Sequence, residues 1–146
     1  MNDLKQQLIT ITPEIFSGSP VLFAYLYGSH AKGQPHPFSD VDIVVFAEST
    51  EPYADLNLEL SFSLRLDELL NHRYSTEIRI INNLHLTVVG DILQHGHLIY
   101  SRDEAKRVEY ETQSRMAYFD FLHIVQYHKS IYRKNLIAAA NNGIAR

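Results

Sequence analysis

The sequence predicts an α/β or α+β domain: a small mixed β-sheet flanked by helices, followed by a helical C-terminal segment. Short runs rich in β-branched and aromatic residues, each bounded by turn residues, alternate with longer helix-like stretches. The 146 residues show no repeat and no Pro/Gly/Ser-rich linker, and 45% of them are hydrophobic, enough for one real core. No cysteine occurs, so disulfides, thiolate zinc sites and cysteine nucleophiles are excluded, and any metal must be held by oxygen or imidazole.

Each element has its own signal. Residues 3–16 carry Leu4, Leu8, Ile11 and Ile15 at helical spacing, with Pro13 placed to start a second turn or short helix. "VLFAYLY" (21–27) is short, apolar and bounded on both sides by turn residues, which predicts a buried strand. Gly28 breaks it, residues 29–33 can form one helical turn, and "GQPHPFS" with two prolines reads as loop. "DVDIVVF" (40–46) is the second strand, followed by loop over 47–52. The stretch 53–71 favours a helix with Leu56, Leu60, Leu64 and Leu70 near one face, although its alternation from Leu56 to Leu66 also suits a strand. "STEIRII" (75–81) reads as a strand with Glu77 and Arg79 on one face and Ile78 and Ile80 on the other. A helix "LTVVGDILQHG" ends at Gly96 as its C-cap, before a short strand over 97–101. Ser101 and Glu104 form a capping-box pattern that opens one or two long helices from 102 to about 138, and "NNGIAR" reads as a frayed tail. The expected organisation is one domain over 1–146, with a core at about 15–101 and a C-terminal helical segment at about 102–140.

The formal charge of −4 removes the broad basic field that non-specific nucleic-acid binding needs. The N-terminus lacks a basic segment leading into an apolar core, and no apolar stretch approaches the ~20 residues that span a bilayer. A cytoplasmic protein with no direct nucleic-acid or membrane partner is expected.

The chemistry concentrates in "YLYGSHAKGQPHPFSDVDIVV" (25–45). In a strand, residues i and i+2 share a face, so Asp40 and Asp42 would present two carboxylates side by side while Val41 turns to the core. Two such anions repel unless a cation joins them, and an all-oxygen set suits Mg²⁺. Mg²⁺ often completes its shell with phosphates, and Gly28-Ser29 offers a sharp turn after a strand whose backbone N–H groups can hold anionic oxygens. The Ser29 hydroxyl adds a donor and Lys32 a charge. Alone, a Gly-Ser turn or a D-x-D pair is ordinary; the joint pattern between two apolar strands is not.

"GSHAKG" followed by "SDVDIVV" resembles the signature of the DNA polymerase beta nucleotidyltransferase superfamily: glycine-serine, ten residues, then aspartate-x-aspartate before an apolar strand. With the later "IRIINNLHLTVVGDILQHGHLIYSRD", the chain resembles the minimal nucleotidyltransferases (MNT), antitoxins paired with HEPN-domain ribonuclease toxins, over roughly residues 15–105. The resemblance implies a polymerase-beta-like fold. It implies that Gly28 and Ser29 hold the β- and γ-phosphates of ATP and that Asp40 and Asp42 bind two Mg²⁺ ions. Glu77 would be the third acidic residue, serving both metal and acceptor hydroxyl, where the family more often has aspartate; Lys32 stands where arginine is common. The implied reaction is transfer of AMP from ATP to a tyrosine hydroxyl of a cognate HEPN toxin, silencing it. Arg79 could pair with Glu77 or with phosphate. Two other readings stay open: a nucleotidyltransferase for a small hydroxyl compound of the aminoglycoside type, and a non-catalytic antitoxin acting by contact.

Within 116–127, "MAYFDFLHIVQY" spreads Met116, Tyr118, Phe119, Phe121, Leu122, Ile124 and Val125 over most of a helix's circumference, which predicts burial on more than one side, by the domain and by a partner or second copy. His95 with His97, and His123 with His128, lack metal-ligand spacing and are expected to be solvated or packed.

Overall fold

The computed structural model describes residues 2–35, 39–48 and 51–144. In chain order its elements are α1 (Asn2–Phe16), β1 (Val21–Tyr27), α2 (Gly28–Ala31), β2 (Val41–Ala47), α3 (Pro52–Leu69), β3 (Thr76–Ile80), a 3₁₀ turn (Ile81–Asn83), α4 (Leu86–His95), β4 (His97–Ser101) and α5 (Glu104–Ile144). The strands form one mixed sheet in the order β3-β2-β1-β4, with β1 antiparallel to β2 and β4, and β2 parallel to β3.

β1 is central, which explains its continuous apolar run: both of its faces are covered. One face packs Ala24 and Leu26 with Val41, Ile43 and Ile78 against Leu8 and Phe16 of α1 and Phe62 and Leu66 of α3. The other packs Phe23, Tyr25 and Val44 against Val89, Ile92 and Leu93 of α4. Phe23 stacks on Phe46 at 4.8 Å, and Tyr110 of α5 tilts onto the pair.

Several expectations need correction. α1 runs unbroken through Pro13; the missing N–H would have bonded the carbonyl of Ile9, on the exposed side, where water can replace it. β2 starts at Val41, so Asp40 precedes the strand, and β3 is the shorter Thr76–Ile80. The leucine stripe of α3 divides: Leu56, Leu60 and Leu64 are 54%, 57% and 66% exposed, whereas Leu70, at the helix end, is buried with Phe62 and Leu66. Both faces repeat at helical spacing, and the edge-on contact of Phe62 with Phe16 at 5.1 Å selects the buried one. Asp103 caps α5, its carboxylate accepting the Lys106 N–H at 3.0 Å, in place of Ser101, which ends β4. Gly96 does cap α4, but with extended backbone; a Cβ there would lie 2.5 Å from the Ile92 carbonyl oxygen, so close approach is what calls for glycine. The predicted loops at 33–39 and 47–52 fall partly on 36–38 and 49–50, outside the described residues.

α5 is a single helix of 41 residues that continues through 141–144, so the tail is helical as far as it is described; 145–146 lie outside. Its first half is fastened to the body. Gly90 lets α4 approach so closely that a Cβ there would meet the Tyr118 ring at 2.4 Å. The Tyr25 hydroxyl donates to Glu111 Oε1 at 2.5 Å, and Glu111 also receives Arg107 at 3.0 Å and Arg115 at 3.5 Å. From Gln126 to Gly143 every residue is exposed, and within 116–127 Met116, Phe119, Ile124 and Tyr127 are exposed too. The expected burial on several sides is therefore absent in the isolated chain.

Burial, then the Glu111 carboxylate, push the Tyr25 hydroxyl above its ordinary pKa. A group raised in this way stabilises the fold fully below its unfolded value, about 10, and that contribution fades as pH rises beyond it. Tyr25→Phe should cost about 1–2 kcal/mol at pH 7 in urea unfolding, Glu111 keeping its arginines. The gap between variant and parent should narrow above pH ~10.

Candidate functional site

The site forms where β1 ends. Gly28 has φ +74°, a conformation that disfavours any side chain, and it turns the chain directly over β2. A Cβ on Gly28 would lie 2.5 Å from Oδ2 of Asp42, so the turn and the carboxylate are packed against each other. α2 follows as a single turn, closed by the Lys32 N–H donating to the Gly28 carbonyl at 3.1 Å, and the Ser29 carbonyl accepts the Gln34 N–H at 3.0 Å.

Sheet register builds the rest. Tyr27 on β1 pairs with Asp42, and Asp42 pairs with Glu77, so the three side chains form a row on one face of adjacent strands. Asp40, just outside β2, is near enough for its charge to act on Asp42. Burial raises the Asp42 pKa, Glu77 and Asp40 add to the shift, and His30 and Arg79 oppose it. The Tyr27 hydroxyl is raised by burial and by Asp42. Glu77 pairs with Arg79 at 3.3 Å, the ion-pair alternative of the sequence reading. Lys32 reaches Asp91 of α4 at 3.5 Å.

The structure thus brings together Gly28, Asp42 and Glu77, with Asp40 beside them, one residue before the strand begins. Among the described residues, no three carboxylate or histidine side chains converge as a ready-made metal cluster. Glu77 turns to Arg79, as expected of crowded carboxylates that find a cation nearby. Two groups escaped the sequence reading. Tyr27 was counted only as core, and its place in the row emerges from register. His30 is buried, 8% exposed, and nothing in the sequence marks its burial. His97 is packed, its Nε2–H donating to the Ala31 carbonyl at 2.9 Å, while His95 contacts Asp91 at 3.1 Å.

One cavity borders the row. A groove of about 320 Å³, lined by Glu59, Leu60, Ser63 and Thr76–Arg79, opens along α3 and the edge strand, with Glu77 in its wall. A more apolar cavity of about 190 Å³ between α4 and α5 contains no carboxylate and lies apart from the row.

The family model of polymerase beta nucleotidyltransferases matches residues 10–105. No curated protein gives a significant match. Solved structures share the fold, three of them from toxin–antitoxin complexes. A chain of a toxin–antitoxin complex with AMP-PNP aligns at 14% identity and TM-score 0.62, and one of a mutant MntA–HpeT toxin–antitoxin complex at 13% and 0.62. The third, tri-AMPylated Shewanella oneidensis HEPN toxin in complex with MNT antitoxin, aligns at 12% and 0.60. Each alignment covers 91% of this chain and 98% of the other.

Two outcomes follow from this geometry. Because the Asp42 pKa is raised, its charge opposes folding at neutral pH, and that penalty vanishes below the unfolded value of about 3.9. Asp42→Asn should therefore raise the metal-free melting temperature at pH 7 by roughly 1–4 °C, with the gain shrinking as pH falls toward 4. Gly28→Ala should cost about 1–3 kcal/mol from its positive φ, before the collision with Asp42 is counted; the shift of the urea midpoint measures it.

Proposed function

This chain belongs to the polymerase beta nucleotidyltransferase family, and from that premise we propose that it is an antitoxin adenylyltransferase, moving AMP from ATP to a tyrosine hydroxyl of a cognate HEPN toxin. The observation that carries the proposal is the packing of the Gly28 turn on the Asp42 carboxylate, which makes a phosphate-binding turn and a metal-type ligand one unit. The fold shared with chains of toxin–antitoxin complexes, one with AMP-PNP and one with a tri-AMPylated HEPN toxin, supports nucleotide and acceptor alike. The exposed apolar side chains of α5, Met116 and Phe119 among them, support a protein partner. ATP and a ribonuclease partner place the reaction in the cytoplasm.

The residues fit magnesium. Asp42, Asp40 and Glu77 are hard oxygen donors, and they are crowded: burial first, then repulsion by Glu77 and Asp40, raises the Asp42 pKa. Asp40 and Asp42, with Glu77, would hold two ions, which supply charge neutralisation of the triphosphate and alignment of the α-phosphate. The backbone N–H groups after Gly28 and the Ser29 hydroxyl bind the β- and γ-phosphates, and Lys32 adds a positive charge by leaving Asp91. Glu77 takes the proton of the acceptor hydroxyl, which approaches along the α3–β3 groove. The acceptor oxygen bonds to the α-phosphorus, the bond to the β-phosphate breaks, and pyrophosphate leaves. Arg79 steadies Glu77 between turnovers.

Incubation with Mg-ATP and the co-encoded HEPN protein tests this by intact mass. The partner should gain whole AMP units with the wild-type chain and none with Asp40→Asn/Asp42→Asn. A partner that is inhibited equally by both forms while its mass stays unchanged would establish neutralisation by contact instead.

A further inference from the structure

We propose that His30 is a positioning residue that locks the phosphate turn to the segment bearing Asp40, and so couples nucleotide binding to metal binding; the inference rests on the nucleotidyltransferase reading above. Asp42 is fixed to the turn by the Gly28 contact and the β1–β2 register. Asp40 is held less directly: it precedes the strand, the peptide after it is fixed by the Val41 N–H donating to the Ser75 carbonyl at 2.8 Å, and the loop leading to it leaves α2 with positive φ at Gly33. A four-residue helix cannot hold its own position. The structure anchors it twice through histidines. His97 of β4 donates to the Ala31 carbonyl at 2.9 Å and fixes its far end to the sheet. His30, inside the turn and between Ser29 and Ala31, reaches the other way, with Nε2 3.4 Å from the carbonyl oxygen of Ser39. That carbonyl belongs to the peptide bond entering Asp40, so the contact sets the start of the Asp40 backbone relative to the Ser29 turn.

The surroundings suit a fixed brace. The His30 ring is buried and lies edge-on to Tyr74 at 5.8 Å, which restricts its rotation. The brace needs no particular charge state, since the neutral Nε2–H tautomer and the imidazolium both donate from Nε2. Losing the donor while keeping the ring should leave the turn able to bind phosphate and leave Asp42 in place, but allow Asp40 to drift. Positional freedom of about 1 Å in a catalytic array can cost on the order of 100-fold in rate. Thus the signature is a loss of coupling and of kcat, with the metal-free nucleotide affinity nearly unchanged.

The test compares the wild-type chain with His30→Phe, which keeps an aromatic ring but cannot donate, and His30→Gln, whose amide nitrogen can stand near the place of Nε2. His30→Asn, too short to reach, replaces the Phe variant where that one does not fold. Calorimetric titration with AMP-PNP, with and without Mg²⁺, measures how much the metal tightens the nucleotide. In His30→Phe the metal-free affinity should stay within about twofold, while the Mg²⁺-dependent gain and kcat should each fall about tenfold; His30→Gln should recover most of both. If His30→Phe keeps the full Mg²⁺-dependent gain and its kcat, even with a lowered melting temperature, His30 only fills space and the proposal fails while the nucleotidyltransferase reading stands. A wild-type chain that does not bind AMP-PNP more tightly with Mg²⁺ takes down both.

Discussion

The contact between Gly28 and the Asp42 carboxylate is the constraint on which the site depends. It exists because β1 and β2 are antiparallel neighbours in a register that pairs Tyr27 with Asp42, so the chain leaving β1 must turn over that carboxylate. Only a residue without a side chain can make the turn, for conformational and steric reasons at once: the backbone is left-handed and the space above it is filled. Burial of β1 on both faces then holds the turn from beneath. The helices α1, α3 and α4 serve the site by clamping the sheet.

The same geometry carries an electrostatic cost. Asp42, half buried and facing Glu77 and Asp40, is ionised against its surroundings, opposed only in part by His30 and by Arg79 on the edge strand. A fold selected for stability alone would have placed an amide at Asp42. The arrangement is intelligible if a cation and a triphosphate complete it, so binding energy offsets what folding does not recover. Tyr25 and Glu111 show the opposite case: a half-buried acid next to two arginines and a tyrosine donor, which fastens α5 and asks for no ligand.

The strands were legible because burial on both faces leaves a continuous apolar run, as in "VLFAYLY", and the motif was legible because few other folds need a glycine turn and paired aspartates at that spacing. Failures came where two local patterns competed. In α3, Leu56, Leu60 and Leu64 repeat as regularly as Phe62 and Leu66, and the partner ring of Phe16 separates them. Asp40 and Asp42 look equivalent in a D-x-D pair, but the strand starts between them. Asp103 and Ser101 are both good caps, and the end of β4 decides. His30 carries no sequence signal, because its burial depends on Tyr74 and Ser39 meeting it in three dimensions.

The account's central claim is that the Gly28-Ser29 turn and the Asp40/Asp42 carboxylates form one nucleotide–metal site. Crystals grown with AMP-PNP and Mn²⁺, read by anomalous scattering at the manganese edge, address it most directly. The account expects manganese bound to Asp42 and Asp40, with the β- and γ-phosphates against the Gly28-Ser29 turn. Manganese remote from Asp42, or a nucleotide seated in the apolar α4–α5 cavity instead, would contradict it.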